Sequence, residues 1–221
     1  MATDSATERP LRRDAERNRQ RILDAARIVF AERGLGVSMD EIARHAGVGV
    51  GTVYRRFPDK EELIDALFFE GVAEVVGIAH EALAHEDPWD GLVHFLEGVI
   101  EHQSADRGLK ELLLSTSHGR DRVCEGRDQI APLVEEVVAR AKAAGVLRQD
   151  VTTTDFALVQ MSMGAVVDYT RDVSPEIWRR LLVLALDGLR PSRTAPSELP
   201  VGALDMGQFE CVMRDWHPGR R

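Results

Sequence analysis

Residues 38–60 read SMDEIARHAGVGVGTVYRRFPDK, and no other stretch limits the possible folds as tightly. Ser38 and Glu41 are three residues apart. At that spacing a serine side chain takes a backbone N–H of a starting helix, while the glutamate reaches back to the serine's own N–H. Ile42, Ala43 and Ala46 give this helix one apolar face, and Gly47 ends it where a left-handed backbone costs least. Val50, Val53, Tyr54 and Phe57 then recur at i, i+3, i+4 and i+7, which predicts a second short helix stopped by Pro58. Two short helices joined by a glycine-bearing turn make a helix-turn-helix.

The residues facing away from the apolar stripe of the second helix carry the chemistry. Gly49, Gly51, Thr52, Arg55 and Arg56 are small, hydroxylic or cationic, and no acidic residue occurs in 49–57. A helix that enters a major groove needs close approach, donors for phosphates and groups that read base edges. The run T-V-Y-R-R-F-P-D-K, following D-E-I-A-R-H-A-G-V, resembles the DNA-binding domain of the TetR family of transcriptional regulators. The resemblance covers roughly Asn18 to Leu67, extends as far as residue 76, and includes the Y-x-x-F-x-x-K continuation and a long leading helix.

The chain has 221 residues, 44% of them hydrophobic, enough for a buried core. Its net charge of −9 is uneven. Residues 1–60 hold twelve Lys and Arg against nine Asp and Glu, and the rest hold sixteen against 28. A weakly basic head on an acidic body suits a protein that turns one end to DNA, although ordinary charge scatter gives the same figures. Cys124 and Cys211 have no metal-binding spacing, and two isolated thiols point to a reducing compartment. The N-terminus lacks the apolar core of a signal peptide and no apolar run is long enough to span a membrane, so the expected location is cytoplasmic.

The periodicities predict an all-α fold of about nine helices. Residues 1–12 read as a disordered basic arm, either solvated or trailing into a DNA groove. Residues 13–60 form the DNA-binding domain, with a first helix from Asp14 to Arg33 buried through Ile22, Ala26, Val29 and Phe30. Residues 61–190 form a helical body. Asp59 and Glu62 cap its first helix, which runs to about His85 and links head to body. A helix opens at Pro88, a shorter one covers Asp106 to Ser115, and the polar stretch 115–128 reads as a mobile connection. Further helices follow from Ile130 to Ala143, from Thr153 or Thr154 to Tyr169, and from Pro175 to Leu189 behind a Ser174 cap. The last two are apolar on more than one side. One side packs on the body, and the other is covered either by a two-fold copy or within a large monomeric core with no interface. The residues expected there are Phe156, Val159, Met163, Val167, Ile177, Leu181, Leu184 and Gly188. Residues 191–221 are Pro-, Ser- and Gly-rich and read as a tail.

The expected DNA contacts are Ser38, Gly49, Val50, Gly51, Thr52, Tyr54, Arg55, Arg56 and Lys60. Thr52 and Tyr54 donate hydroxyls to phosphates, and Lys60 meets phosphate as a point charge. Arg55 and Arg56 either neutralise phosphate or read guanine. Val53 and Phe57 belong to the core. His80 and His85 are five apart, about 140° around a helix at 100° per residue, so they do not share a metal. His94 and His102 share a face, and the plain reading there is core or pocket lining. No metal, cofactor or catalytic constellation is expected. The family resemblance implies a homodimer on a palindromic double-stranded DNA operator, a repressor by habit, with a small-molecule pocket in the body. Candidates for that pocket are Phe69, Trp89, Phe95, His102, Cys124, Met161 and Met163. The alternatives are a constitutive or protein-partner-controlled regulator and, remotely, an all-α enzyme.

Overall fold

The structure, a computed structural model, describes residues 8–105 and 119–191. Among the described residues there are eight α-helices: α1 (Glu8–Arg33), α2 (Met39–Ala46), α3 (Val50–Arg56), α4 (Lys60–Ala84), α5 (Pro88–Ala105), α6 (Gly119–Ala143), α7 (Thr153–Thr170) and α8 (Ile177–Leu189). A 3-10 turn at Gly34–Gly36 separates α1 from α2. No strand occurs among the described residues, so the all-α expectation holds.

The chain divides into two compact units. The first holds α1 to α3, α4 as far as Ala73, and the start of α6 through Gly126. Its apolar positions bury as the 3.6-residue period requires: Ile22, Leu23, Ala26, Val29 and Phe30 on α1, Ile42 on α2, Val53 on α3, Leu63 and Leu67 on α4. α1 packs on α2 and α2 on α3. Glu70 on α4 draws two arginines of α1, Arg27 at 3.0 Å and Arg19 at 3.9 Å.

The second unit holds α4 from Glu74, α5, α6 from Arg127, α7 and α8. Leu92, Phe95, Leu96, Ile100, Leu147 and Leu182 form the centre of its core. α5 lies so close to the end of α4 that a Cβ at Gly91 would stand 2.3 Å from the Ala82 carbonyl oxygen. Arg140 on α6 donates to the Leu83 carbonyl at 2.6 Å, covering a carbonyl that the end of α4 leaves without a helical partner. Arg148 closes the other end of the unit by donating to the Gly188 carbonyl at 3.3 Å while paired with Asp150 at 2.7 Å.

Several boundaries differ from those expected. α1 begins at Glu8, so residues 8–12 of the expected arm are helical. Pro10 falls in the first turn, where its missing N–H has no helical acceptor to lose. α6 begins at Gly119, so the second half of the expected mobile connection is helix. Ser174 does not open α8. Its N–H bonds to the Thr170 carbonyl, the chain turns through 173–176, and the helix starts at Ile177 behind Glu176. The short helix expected at 106–115, residues 1–7 and the tail from 192 lie outside the described residues. The expected head and body met at 60/61, within the first turn of α4, whereas the two compact units meet within α4 at Ala73 and Glu74.

Candidate nucleic-acid interface

Ser38 sets the start of α2. Its N–H donates to Glu41 Oε2 at 2.9 Å, and Glu41 N–H donates to Ser38 Oγ at 3.3 Å. The Ser38 N–H, and after it the Ser38 hydroxyl, donate to the carboxylate and favour its charged form, so Glu41 titrates below its ordinary range. The Ser38 hydroxyl proton goes to Glu41 Oε2 at 3.0 Å, so it is spent inside the protein. Ser38 serves as the helix cap of α2 and stands exposed at the entry of that helix.

Gly47 ends α2 in the left-handed region, at φ 63° and ψ 36°. Val48 N–H bonds to the Ala43 carbonyl at 3.1 Å. Arg21 of α1 then closes the turn, donating through Nη2 to the Ala46 carbonyl at 2.8 Å and the Gly47 carbonyl at 3.1 Å. In the sequence the charges of α1 read as mostly solvated, with one or two near the helix start able to meet phosphate, and nothing in their spacing points across 25 residues to this turn.

α3 starts at Gly49, whose carbonyl accepts from Thr52 N–H at 2.8 Å. It ends at Phe57, which is extended, as a residue before proline must be. Val53 and Phe57 are buried, so both core assignments hold. Gly49, Val50, Gly51, Tyr54, Arg55 and Arg56 are exposed and Thr52 is half-buried. Tyr54 is 45% exposed. Arg56 pairs with Glu16 of α1 at 3.4 Å, both side chains largely open to water. Arg55 makes no side-chain hydrogen bond or ion pair with any described residue.

Lys60 is placed differently from its expectation. Its ammonium donates to the Val37 carbonyl at 2.6 Å and lies 5.7 Å over the Phe30 ring. Desolvation pushes its pKa down. It ties the start of α4 to the entry of α2.

The expected pocket residues of the second unit are divided between its core and its surface. Trp89, Phe95 and Met163 are core, with the Arg190 guanidinium 3.9 Å over the Trp89 ring. His102 pairs with Glu74 at 2.9 Å, and Met161 is 66% exposed. Phe69 belongs to the first unit, edge-on to Phe68 at 5.5 Å, and the side chain of Cys124 lies outside the described residues. A recess of about 350 Å³ opens elsewhere in the unit, lined by Glu101, Val167, Arg171, Trp178 and Arg179 among others.

The expected partner-facing residues divide. Phe156, Met163, Val167 and Ile177 are buried in the chain's own core, while Val159 and Leu181 are half-buried and Leu184 and Gly188 are exposed. The apolar face left open is instead Leu158, Met161, Ala165 and Tyr169 on α7 with Leu184 and Gly188 on α8. α7 is apolar on nearly every side, so its period does not say which stripe the body takes.

No group of three or more His, Cys, Asp or Glu among the described residues is placed to hold a metal ion. No described helix is long and apolar enough to cross a membrane.

Residues 22–67 match the model of the bacterial regulatory proteins of the tetR family, and residues 87–191 match that of the C-terminal domain of SbtR-like transcriptional regulators. Over 54 residues the chain is 48% identical to an HTH-type transcriptional regulator of Staphylococcus aureus, covering 24% of this chain and 29% of that protein. The chain thus spans under a third of the length of the curated relatives it matches. Among solved structures, a TetR transcription regulatory protein from Mycobacterium vanbaalenii is 36% identical with a TM-score of 0.64, over 82% of this chain and 99% of that one. A TetR transcriptional regulator from Streptomyces coelicolor is 33% identical with a TM-score of 0.61, over 79% and 99%.

Proposed function

The chain belongs to the TetR family of bacterial regulatory proteins, and on that premise we propose that it is a sequence-specific DNA-binding regulator acting as a homodimer. The observation that carries the reading is the outward face of α3: Gly51, Thr52, Tyr54 and two arginines, all held on a capped and clamped turn with no acid among 49–57. Each protomer lays α3 in a major groove, with Thr52 and Tyr54 on phosphates and Gly49 and Gly51 admitting the backbone. Val50, 41% exposed, meets a thymine methyl. Two copies meet through the open apolar face of α7 and α8. Their heads then fit half-sites about 34–36 Å apart on a near-palindrome.

The protein represses, and a small-molecule effector binding the second unit favours a state whose heads are wrongly spaced. Only a difference in effector affinity between the two states drives release. The scattered placement of the candidate pocket residues favours a second reading, a regulator without an effector. A thermal-shift screen of small molecules separates the two, because an effector-controlled protein gains stability with at least one of them.

Fluorescence anisotropy with duplexes from the DNA flanking its own gene tests the central reading. Binding is expected, weakening steeply between 50 and 200 mM salt as about six to ten phosphate contacts require. Tyr54→Ala should abolish it and leave the dimer intact. Absent or salt-insensitive binding to every duplex overturns the reading.

A further inference from the structure

Arg55 and Arg56 are neighbours in sequence, and the structure separates their circumstances. Helix geometry separates them first. At about 100° per residue, Val53 and Phe57 lie about 40° apart and mark the direction of the core. Arg55 then points about 180° from that direction. Tyr54 and Arg56 flank the core direction at about 80° on either side. Gly51, one turn before Arg55, has nothing within 4 Å of where a Cβ would stand. The centre of the outward face is therefore a clear approach with one long cationic side chain on it.

Partners separate them next. Arg56 is held by Glu16 at 3.4 Å, whereas Arg55 is bound to no described residue. A helix seated in a major groove puts the centre of its outward face on base edges and its flanks against the phosphates of the two strands. An arginine at the centre has the fork geometry to take guanine O6 and N7 together, while one on the flank meets a phosphate.

Resting on the regulator reading above, we infer that Arg55 is the specificity-determining arginine, bidentate to a guanine in each half-site. Arg56 is a phosphate-side cation, which Glu16 occupies when no DNA is bound. Glu16 stands in for a phosphate. It lowers affinity for all DNA without altering which sequence is preferred.

In vitro selection from a randomised duplex pool with the full-length protein gives the preferred duplex. Anisotropy then compares that duplex, versions with each guanine replaced in turn, and an unrelated duplex. Arg55→Lys keeps the charge and loses the fork. It is expected to weaken the preferred duplex about 10–100-fold, to flatten discrimination at one G·C pair per half-site, and to leave the unrelated duplex unchanged. Arg56→Lys stays within about threefold of the parent on every duplex, because a phosphate accepts either cation. Glu16→Gln tightens binding to preferred and unrelated duplexes alike, by up to about fivefold, the scale of one exposed ion pair. Circular dichroism checks that each variant is folded, which these exposed positions favour. Full discrimination retained by Arg55→Lys, or flattened by Arg56→Lys, overturns the inference alone. A pool that yields no preferred duplex overturns the regulator reading and this inference with it.

Discussion

Two surfaces of this protein are open to water, and their chemistry is opposite. On α3, Gly51, Thr52, Tyr54, Arg55 and Arg56 offer clearance, hydroxyls and positive charge. On α7 and α8, Leu158, Met161, Ala165, Tyr169, Leu184 and Gly188 offer apolar area. Each lacks something the protomer does not supply. On one, Arg55 lacks counter-charge; the other lacks apolar cover. The α3 face is built from local instructions, a cap at Ser38, a left-handed Gly47 and a stop at Phe57, all within 20 residues of one another. The α7 and α8 face is defined only by subtraction, as what remains when the body has taken its share of two helices apolar on several sides.

If the apolar face holds two copies together, charging it should do more damage than any single change to α3's supports. Met161→Glu combined with Leu184→Glu places four carboxylates in the dimer, at two exposed positions per protomer. Sedimentation should show a monomer, and affinity for a two-half-site duplex should fall about 100-fold or more as the two heads lose their mutual effective concentration. A double variant that remains dimeric would break the comparison, because the open apolar face would then be surface and nothing else.

A change inside the second unit sharpens it. Gly91→Ala puts a methyl 2.3 Å from the Ala82 carbonyl oxygen, a backbone atom that moves only with its helix. About 1–3 kcal/mol of destabilisation is expected from such overpacking, read from urea unfolding. The first unit keeps its own core, so the affinity of folded protein for a single half-site should not change.

Gly47→Ala tests the other region. The left-handed backbone costs an alanine about 1–2 kcal/mol, and the new Cβ would stand 2.9 Å from Arg21 Nη2. The guanidinium is mobile and gives way, at the loss of its bonds to the two turn carbonyls. Arg21→Gln isolates that second part. It leaves Gly47 unstrained, so its loss of DNA affinity should be smaller than that of Gly47→Ala. Equal losses would mean that the clamp, and not the left-handed turn, holds α3 in place.

The same contrast explains what the sequence made legible. The helix-turn-helix and its two core residues, Val53 and Phe57, follow from caps, glycines and one apolar stripe. The pattern places Lys60 at a helix start and says nothing of the Val37 carbonyl and Phe30 ring that meet its ammonium. Which stripe of α7 stays open is not legible in the sequence, because the buried Phe156, Met163 and Val167 are as apolar as the exposed Leu158 and Met161. Arg21, Glu16 and Arg140 act across 25 or more residues, and their spacing carries no signal of it.

The smallest expected effect compares one device used in both regions. Thr152 and Asp155 repeat at the start of α7 what Ser38 and Glu41 do at the start of α2. Thr152 N–H donates to Asp155 Oδ2 at 2.7 Å, as Ser38 N–H does to Glu41. In both carboxylates the bond from the cap's backbone N–H is the largest cause of a lowered pKa, with the cap's side chain second. A carboxylate lowered on folding contributes stability above its unfolded pKa, here 4.5 for Glu41 and 3.8 for Asp155, and loses it as pH falls through the lower folded value. Glu41→Gln and Asp155→Asn should therefore unfold at lower urea than the parent at pH 7, with the gap closing as pH falls below about 4. Below both folded values the carboxyls are protonated in every state and the cap contributes alike in parent and variant. A gap that stays constant from pH 7 to pH 3 would assign the loss to packing and not to charge. A gap for one pair and none for the other would show that the same four-residue device is worth different amounts in the two regions.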